Sequence, residues 1–189
     1  MSYDPERHHR RSVRLPGYDY AQPGAYFVTI CTYGRECLLG AIVAGSMEPS
    51  LRGGVVEACW RALPGHFPGT SLGAFVLMPN HVHGIIVITA RARGNAEGMR
   101  EPQQVDRADL SIPAHSRARG TQPGSLGAMV QSFKAVSTRT VNRLDHNRGN
   151  CLWQTSYYER IIRNERELEA IREYIANNPA QWALDRENL

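Results

Sequence analysis

The chain has 189 residues, of which 42% are hydrophobic, and it carries a formal net charge of +4 with a sequence pI of about 9.0. This length allows one ordinary domain with a single core, and the longest apolar run, near Ile85 to Ile88, is far too short to span a bilayer. Because Lys134 is the only lysine, the positive charge is almost all arginine, whose planar guanidinium suits phosphate. The composition therefore favours a polyanionic partner over a membrane.

The N-terminal residues form a basic arm, which we place at residues 1–16 of a single domain covering residues 1–189. This segment lacks the apolar stretch of a secretory signal, so we expect a soluble, cytoplasmic protein. The candidate DNA-binding residues of the arm are Arg7, Arg10, Arg11 and Arg14. The four cysteines of the chain form no CxxC pair, which argues against a zinc ribbon or a disulfide framework and fits reduced thiols.

Four secondary-structure elements are predicted before residue 90. The strands are indicated by runs of β-branched and aromatic residues, and the helix by apolar residues at helical spacing that end at Pro64-Gly65. In chain order they are a strand from Tyr26 to Tyr33, a helix from Val55 to Leu63, and strands from Leu72 to Met78 and from Val82 to Thr89. The break at Pro79-Asn80 separates the last two strands.

The segment from Ala90 to Pro123 loses this apolar pattern. It is rich in Gly, Pro, Gln and Asp, and its arginines alternate with acidic residues. Such a stretch is too long and too polar for an ordinary connection between two elements. We therefore interpret residues 90–123 as a flexible insertion loop.

Helical and strand patterns resume after the loop. They predict a helix from Ser125 to Leu144, short strands from Cys151 to Trp153 and from Tyr157 to Ile162, and a last helix that Pro179 ends. Asn164 followed by Glu167 fits the N-terminal cap of that last helix. The order of the elements, without regular alternation of strand and helix, predicts an α+β fold in which helices pack on an antiparallel sheet.

His81 and His83 open the strand before the loop. Alternation along a strand turns both imidazoles to the same face, as two ligands of one metal ion require. A buried imidazole without a partner costs about 1–3 kcal/mol, so each ring needs either a metal ion or a hydrogen-bonding group. From the residues alone, a metal site and a structural pair satisfied by hydrogen bonds both remain open.

Tyr174 and Asn178 lie one helical turn apart on the last helix, so their side chains share a face. Together with the histidines they suggest a tyrosine nucleophile assisted by a metal ion, with Asn178 as a third ligand. This is chemistry for breaking and rejoining a phosphodiester. Taken singly, a tyrosine such as Tyr174 on an apolar helix face is more often a core aromatic residue with its hydroxyl at the surface. Asn178 could equally be an ordinary residue of a helix end.

Ordered blocks from about residue 11 to residue 182 carry a family resemblance. They include PGAYFVTICT at 23–32, MPNHVHGII at 78–86, WQTSYYERIIRNE at 153–165 and IREYIANNP at 171–179. These blocks resemble the REP-associated tyrosine transposases, bacterial relatives of the small insertion-sequence transposases in the HUH endonuclease superfamily. Only the loop at 90–123 lies outside the resemblance.

The resemblance implies a ferredoxin-like HUH core with His81 and His83 as its metal-binding pair and Tyr174 as its single nucleophile. It implies Mg²⁺ or Mn²⁺ as the divalent ion, with Asn178 in the place of a third ligand that is glutamine in the classical insertion-sequence branch. Arg160 stands where a histidine often occurs in the family.

The function that the resemblance implies is cleavage and rejoining of single-stranded DNA beside a hairpin, through a covalent 5′-phosphotyrosine intermediate. The protein would act as a monomer or a homodimer. Two alternatives remain open at this point. One is a domesticated regulator that binds hairpin DNA without cleaving it, and the other is a nicking enzyme of replication or plasmid transfer that uses the same chemistry.

Overall fold

The structure, a computed structural model, describes residue 15 and residues 17–89, 122–147 and 149–184. The predicted arm at 1–16 therefore lies outside the described residues except for Leu15, as does the predicted loop at 90–123 except for its last two positions. The strands are β1 (Gly24–Cys31), β2 (Gly40–Val43), β3 (Ser46–Pro49), β4 (Thr70–Leu77), β5 (His81–Ile88) and β6 (Tyr158–Ile162). The helices are α1 (Leu51–Arg61), α2 (Leu63–His66), α3 (Leu126–Leu144) and α4 (Glu165–Asn177), and two 3₁₀ turns lie at Tyr33–Arg35 and Pro179–Leu184.

The main sheet has four strands in the order β4-β5-β1-β6, and every neighbouring pair is antiparallel. The helices α1 and α2 connect β1 to β4, and β5 is inserted between those two strands. This is the strand order of a split βαβ unit, which is the ferredoxin-like arrangement. The predicted α+β fold with an antiparallel sheet is confirmed, and the four predicted strands that build this sheet are present with small shifts at their ends.

The two faces of the sheet are covered by different helices. On one face, α1 and α3 pack together over Val28, Ile30 and Ile86. Gly84 is required on this face, because a Cβ there would lie 2.3 Å from a ring carbon of Trp60. On the other face, α4 packs over the cluster formed by Phe27, Ile85, Ile162 and Ile175. The odd-numbered residues of β5, including both histidines, therefore face α4.

Three local predictions differ from the structure. The helix predicted from Val55 begins four residues earlier, where the Ser50 side chain accepts a hydrogen bond from Gly53 N. It ends at Arg61, and Pro64 lies inside the separate turn α2, because proline is tolerated in a first helical turn, where its missing N–H is not needed. The predicted strand from Cys151 to Trp153 is wrong, since Trp153 makes only an isolated bridge to Thr32.

The hairpin formed by β2 and β3 has no counterpart among the sequence predictions. Its two-residue turn holds Ala44 at φ 48° and Gly45 at φ 77°, both in the left-handed region. Such a primed turn normally carries Asn-Gly or Asp-Gly. Alanine at the first position removes the signal that would have marked the hairpin.

None of the described helices combines the length and the apolar character that crossing a bilayer requires.

Lys134 fixes the segment that leads into β6. Its ammonium, on α3, donates to the carbonyl oxygens of Gln154, Thr155 and Ser156 at 2.9, 3.2 and 3.0 Å. It also lies 5.2 Å from the ring centroid of Tyr157. Burial lowers the pKa of Lys134 to about 8, so the group is still protonated at neutral pH. The single lysine therefore acts as a structural cation.

We expect Lys134→Met to lower the free energy of unfolding by about 1–3 kcal/mol, because it removes charge-assisted hydrogen bonds to three carbonyl groups. The measurement is urea denaturation of both proteins at neutral pH. Arg139→Met is the matched control, since Arg139 is an exposed cation on the same helix. The control should change stability by less than about 0.5 kcal/mol. Equal losses in the two variants would contradict the structural role of Lys134.

Candidate active site

The two histidines of β5 converge through the same ring nitrogen. Their Nε2 atoms lie 3.0 Å apart, and their side chains are 0% and 2% exposed. The other nitrogen of each ring has a fixed partner. His81 Nδ1 lies 2.8 Å from Asn80 Oδ1, and His83 Nδ1 lies 2.8 Å from Thr29 Oγ1. The structure therefore brings both rings together with one nitrogen held and one nitrogen facing a shared point.

The surroundings of His83 keep its imidazole ready to bind a cation. Burial lowers the pKa of His83 well below its usual range, and the proximity of His81 lowers it further. His83 is therefore neutral at pH 7 and has a nitrogen lone pair available. Histidine ligands of a divalent ion usually bind through one ring nitrogen while the other is held by a hydrogen-bonding group, and the Nδ1 atoms of both rings are held in this way.

Tyr174 lies on α4 directly beside the pair. Its hydroxyl oxygen is 3.2 Å from His83 Nε2, and the two rings meet edge to face with centroids 5.1 Å apart. The residue is 43% exposed, so part of it is open to solvent. Phe27 supports both groups, because its ring stacks on His83 at 5.4 Å and meets Tyr174 edge to face at 6.1 Å. The predicted nucleophile thus contacts His83, one of the predicted metal ligands.

Asn178 is the C-terminal cap of α4 and is 3% exposed. Its Oδ1 atom is buried and has no hydrogen-bond partner within the described part of the chain. Tyr174, four residues before it, contacts His83, and Trp182, four residues after it, lies against His81 with ring centroids 6.0 Å apart. A buried, unpaired amide oxygen on a residue that lies in sequence between Tyr174 and Trp182 fits the expectation of a third ligand, which stays a prediction.

The protein groups available to an ion are limited. Among residues 15, 17–89, 122–147 and 149–184, no cluster of three His, Cys, Asp or Glu side chains is placed to hold a metal. A third protein ligand would therefore come from another oxygen-bearing group, and Asn178 supplies a buried amide oxygen. The donor set of His81, His83 and Asn178 fits a divalent cation that accepts both imidazole and oxygen.

Sequence reasoning missed four residues around the site, which are Phe27, Thr29, Asn80 and Trp182. Asn80 could have been noticed from its position directly before the first histidine. Thr29 becomes visible only through the pairing register, which sets it opposite His83. Nothing in the sequence pattern marks Phe27 or Trp182.

Arg160, which was also singled out in the sequence, binds Glu167. Its guanidinium pairs with Glu167 at 2.5 Å, which joins β6 to the first turn of α4. The backbone N–H of Arg163 donates to the same carboxylate, and this bond together with Arg160 lowers the pKa of Glu167. The candidate DNA-binding residues Arg7, Arg10, Arg11 and Arg14 lie outside the described residues.

Comparison with known proteins finds a related sequence and solved structures of related fold. No protein-family model matches the chain. A solved structure of a REP-associated tyrosine transposase bound to a REP hairpin has a TM-score of 0.54 at 17% identity, covering 92% of this chain and 76% of that one, and so shares the fold. An uncharacterized protein of Haemophilus influenzae (strain ATCC 51907 / DSM 11121 / KW20 / Rd) is 38% identical over 97% of this chain and 96% of its own length. This protein belongs to the same family as that Haemophilus influenzae protein.

Proposed function

We propose that this protein is a DNA strand transferase and single-strand endonuclease of the tyrosine HUH type, and a member of the REP-associated transposases. The observation that carries the proposal is the Tyr174 hydroxyl 3.2 Å from His83 Nε2, beside two histidine nitrogens that converge at 3.0 Å. The fold shared with a hairpin-bound transposase supports DNA as the partner. The substrate would be single-stranded DNA next to a hairpin such as a repetitive extragenic palindrome.

Tyr174 supplies the nucleophile in this proposal. Its oxygen forms a bond to the phosphorus of the scissile phosphodiester while the bond from phosphorus to the 3′ oxygen breaks. The phenolic proton leaves to water, which reaches the half-exposed side chain, and the departing 3′ oxygen takes up a proton from water. The products are a 5′-phosphotyrosine and a free 3′-hydroxyl. Attack by a 3′-hydroxyl reverses the step and rejoins the strand, so no nucleotide cofactor is needed.

His81, His83 and Asn178 would hold the divalent ion. When bound, the ion would neutralise and polarise the scissile phosphate. Two imidazole nitrogens and one amide oxygen suit Mn²⁺ better than Mg²⁺, which prefers oxygen ligands throughout. A single-stranded substrate fits a site of this kind, since unpaired bases are free to splay and stack while the phosphate enters.

The experiment that tests the proposal is a phosphotyrosine trap. The protein is incubated with Mn²⁺ and a labelled hairpin that carries a single-stranded flank, and the products are separated under denaturing conditions. We expect a covalent adduct in which the protein is linked to the 5′ end of one cleaved fragment, and a released fragment that ends in a 3′-hydroxyl. Tight hairpin binding without any adduct would instead indicate the non-catalytic regulator.

The basic arm gives a separate prediction about affinity. Deleting residues 1–14 removes Arg7, Arg10, Arg11 and Arg14 and should weaken hairpin binding. If each arginine contacts one phosphate, the slope of log affinity against log salt should become shallower by about three. The measurement is a binding titration across a salt series.

The loop serves as the comparison for the arm. Replacing residues 92–119 with a short Gly/Ser linker should change neither the affinity nor the slope much, because Glu97, Glu101, Asp106 and Asp109 balance most of the arginine charge there. If the loop replacement proves more damaging than the arm deletion, this division of roles is wrong.

A further inference from the structure

Asn80 joins the first histidine to a turn of another part of the chain. The Asn80 side chain, which is 2% exposed, donates from Nδ2 to the carbonyl oxygen of Arg35 at 3.2 Å. Its Oδ1 atom lies 2.8 Å from His81 Nδ1. The backbone of Asn80 is held as well, because Thr32 N donates to its carbonyl oxygen at 2.8 Å and Thr32 Oγ1 does so at 3.0 Å. The carboxamide is therefore clamped in one orientation.

This orientation determines which nitrogen of His81 carries a hydrogen. The Arg35 carbonyl oxygen can only accept, so the NH₂ end of the Asn80 carboxamide must face it. The oxygen end then faces His81, and since an amide oxygen can only accept, Nδ1 of His81 must be the donor. In a neutral imidazole the other nitrogen has the lone pair. His81 Nε2 is thus an acceptor directed at the point that the two histidines share.

His83 is held in a different way. Its Nδ1 faces the hydroxyl of Thr29 at 2.8 Å, and a hydroxyl can donate or accept. Either tautomer of His83 is therefore satisfied. Without an ion, His83 can donate from Nε2 to the His81 lone pair 3.0 Å away, and with an ion it can expose its own lone pair while Thr29 becomes the acceptor. The tautomer of His81 is therefore fixed, whereas the tautomer of His83 can change.

We propose that Asn80 is a positioning residue that holds His81 in the Nδ1–H tautomer, so that Nε2, and not Nδ1, presents the lone pair to a divalent cation. The part of this inference that concerns the cation rests on the proposed function, whereas the tautomer does not. Outer-sphere partners of histidine ligands typically change metal affinity by about 10–100-fold when they are removed. Loss of the Asn80 acceptor should have an effect in that range.

The first test measures the tautomer without metal or DNA. Protein labelled with ¹⁵N at histidine is examined by two-bond ¹H–¹⁵N correlation NMR, and the His81 signals are assigned from their loss in His81→Gln. We expect the Nδ1–H form in the wild type and in Asn80→Asp, whose carboxylate also accepts from Nδ1. Asn80→Ala should release His81 to the Nε2–H form or to a mixture. A wild-type His81 in the Nε2–H form would overturn the inference.

The second test measures Mn²⁺ affinity by calorimetry on the full chain. We expect Asn80→Ala to bind about 10–100-fold more weakly and Asn80→Asp to stay within about three-fold of the wild type or to bind more tightly. Thr32→Val is the matched control, because it removes the hydroxyl bonds to the carbonyl oxygens of Asn80 and Glu36 but leaves His81 its partner. Its affinity should stay within about three-fold of the wild type. Equal losses in Asn80→Ala and Thr32→Val would mean that the turn, and not the hydrogen bond to His81, is responsible.

The outcomes separate this inference from the proposed function. If Asn80→Ala fails to fold, as judged by circular dichroism, Asn80→Asp still decides the matter, since loss of the Nδ1–H form in that variant overturns the inference. An Nδ1–H tautomer with the expected Mn²⁺ affinities, but no phosphotyrosine adduct, leaves Asn80 as proposed and removes the nuclease. An adduct together with an Nε2–H tautomer of His81 in the wild type supports the nuclease and overturns the role of Asn80.

Discussion

Replacing Tyr174 with phenylalanine is expected to abolish both strand cleavage and the covalent adduct, a loss of more than about a thousand-fold. The substitution removes only the hydroxyl oxygen that lies 3.2 Å from His83 Nε2. The ring would keep its edge-to-face contacts with Phe27 and His83, so the fold and the bound surface should be preserved. Hairpin affinity should therefore stay within about three-fold of the wild type, as measured by titration beside the phosphotyrosine trap.

Tyr158→Phe is the matched control for this prediction. Tyr158 is 42% exposed, nearly as much as Tyr174, and its ring also lies edge to face with Phe27, at 6.3 Å. It lies on β6 rather than on α4. The control should form adduct at the wild-type rate. Adduct formation by Tyr174→Phe at an undiminished rate, or its loss in Tyr158→Phe, would show that the nucleophile has been misassigned.

The parts of the site that could be predicted depend on local periodicity. Residues two apart on a strand point to the same face, and this predicted that His81 and His83 lie together. Residues four apart on a helix also share a face, and this predicted that Tyr174 lies with Asn178. Which sheet face the last helix would cover was not determined by these patterns. The contact between Tyr174 and His83 spans 91 residues of sequence, and it depends on how α4 packs against the cluster around Phe27.

The parts that could not be predicted depend on pairing between distant segments. Thr29 meets His83 because β1 and β5 pair in a register that brings together residues 54 apart. Asn80 meets the Arg35 carbonyl across 45 residues, through a turn that the sequence does not mark. The hairpin of β2 and β3 was missed for a local reason, since Ala44 adopts a positive φ that alanine rarely takes. The periodicity of the sequence therefore predicts neither the register between distant strands nor unusual backbone conformations.

Replacing His81 or His83 with alanine should remove metal-dependent cleavage and weaken Mn²⁺ binding by more than about a hundred-fold. Each substitution deletes one of two nitrogens that converge at 3.0 Å, and the described residues offer no third histidine, cysteine or carboxylate to replace it. In the wild type, excess EDTA should abolish cleavage in the same way, and added Mn²⁺ should restore it. Calorimetry measures the affinity, and the phosphotyrosine trap measures the cleavage.

His66→Ala is the control within the described structure, because His66 is exposed at the end of α2, whose Leu63 packs in the core on the other face of the sheet. His8 and His9 in the arm should be equally replaceable. Since both site histidines are buried, their alanine variants must first be shown to fold by circular dichroism, and glutamine variants at the same positions keep the volume if they do not. Cleavage that continues in excess chelator would contradict the role of the metal in the proposal.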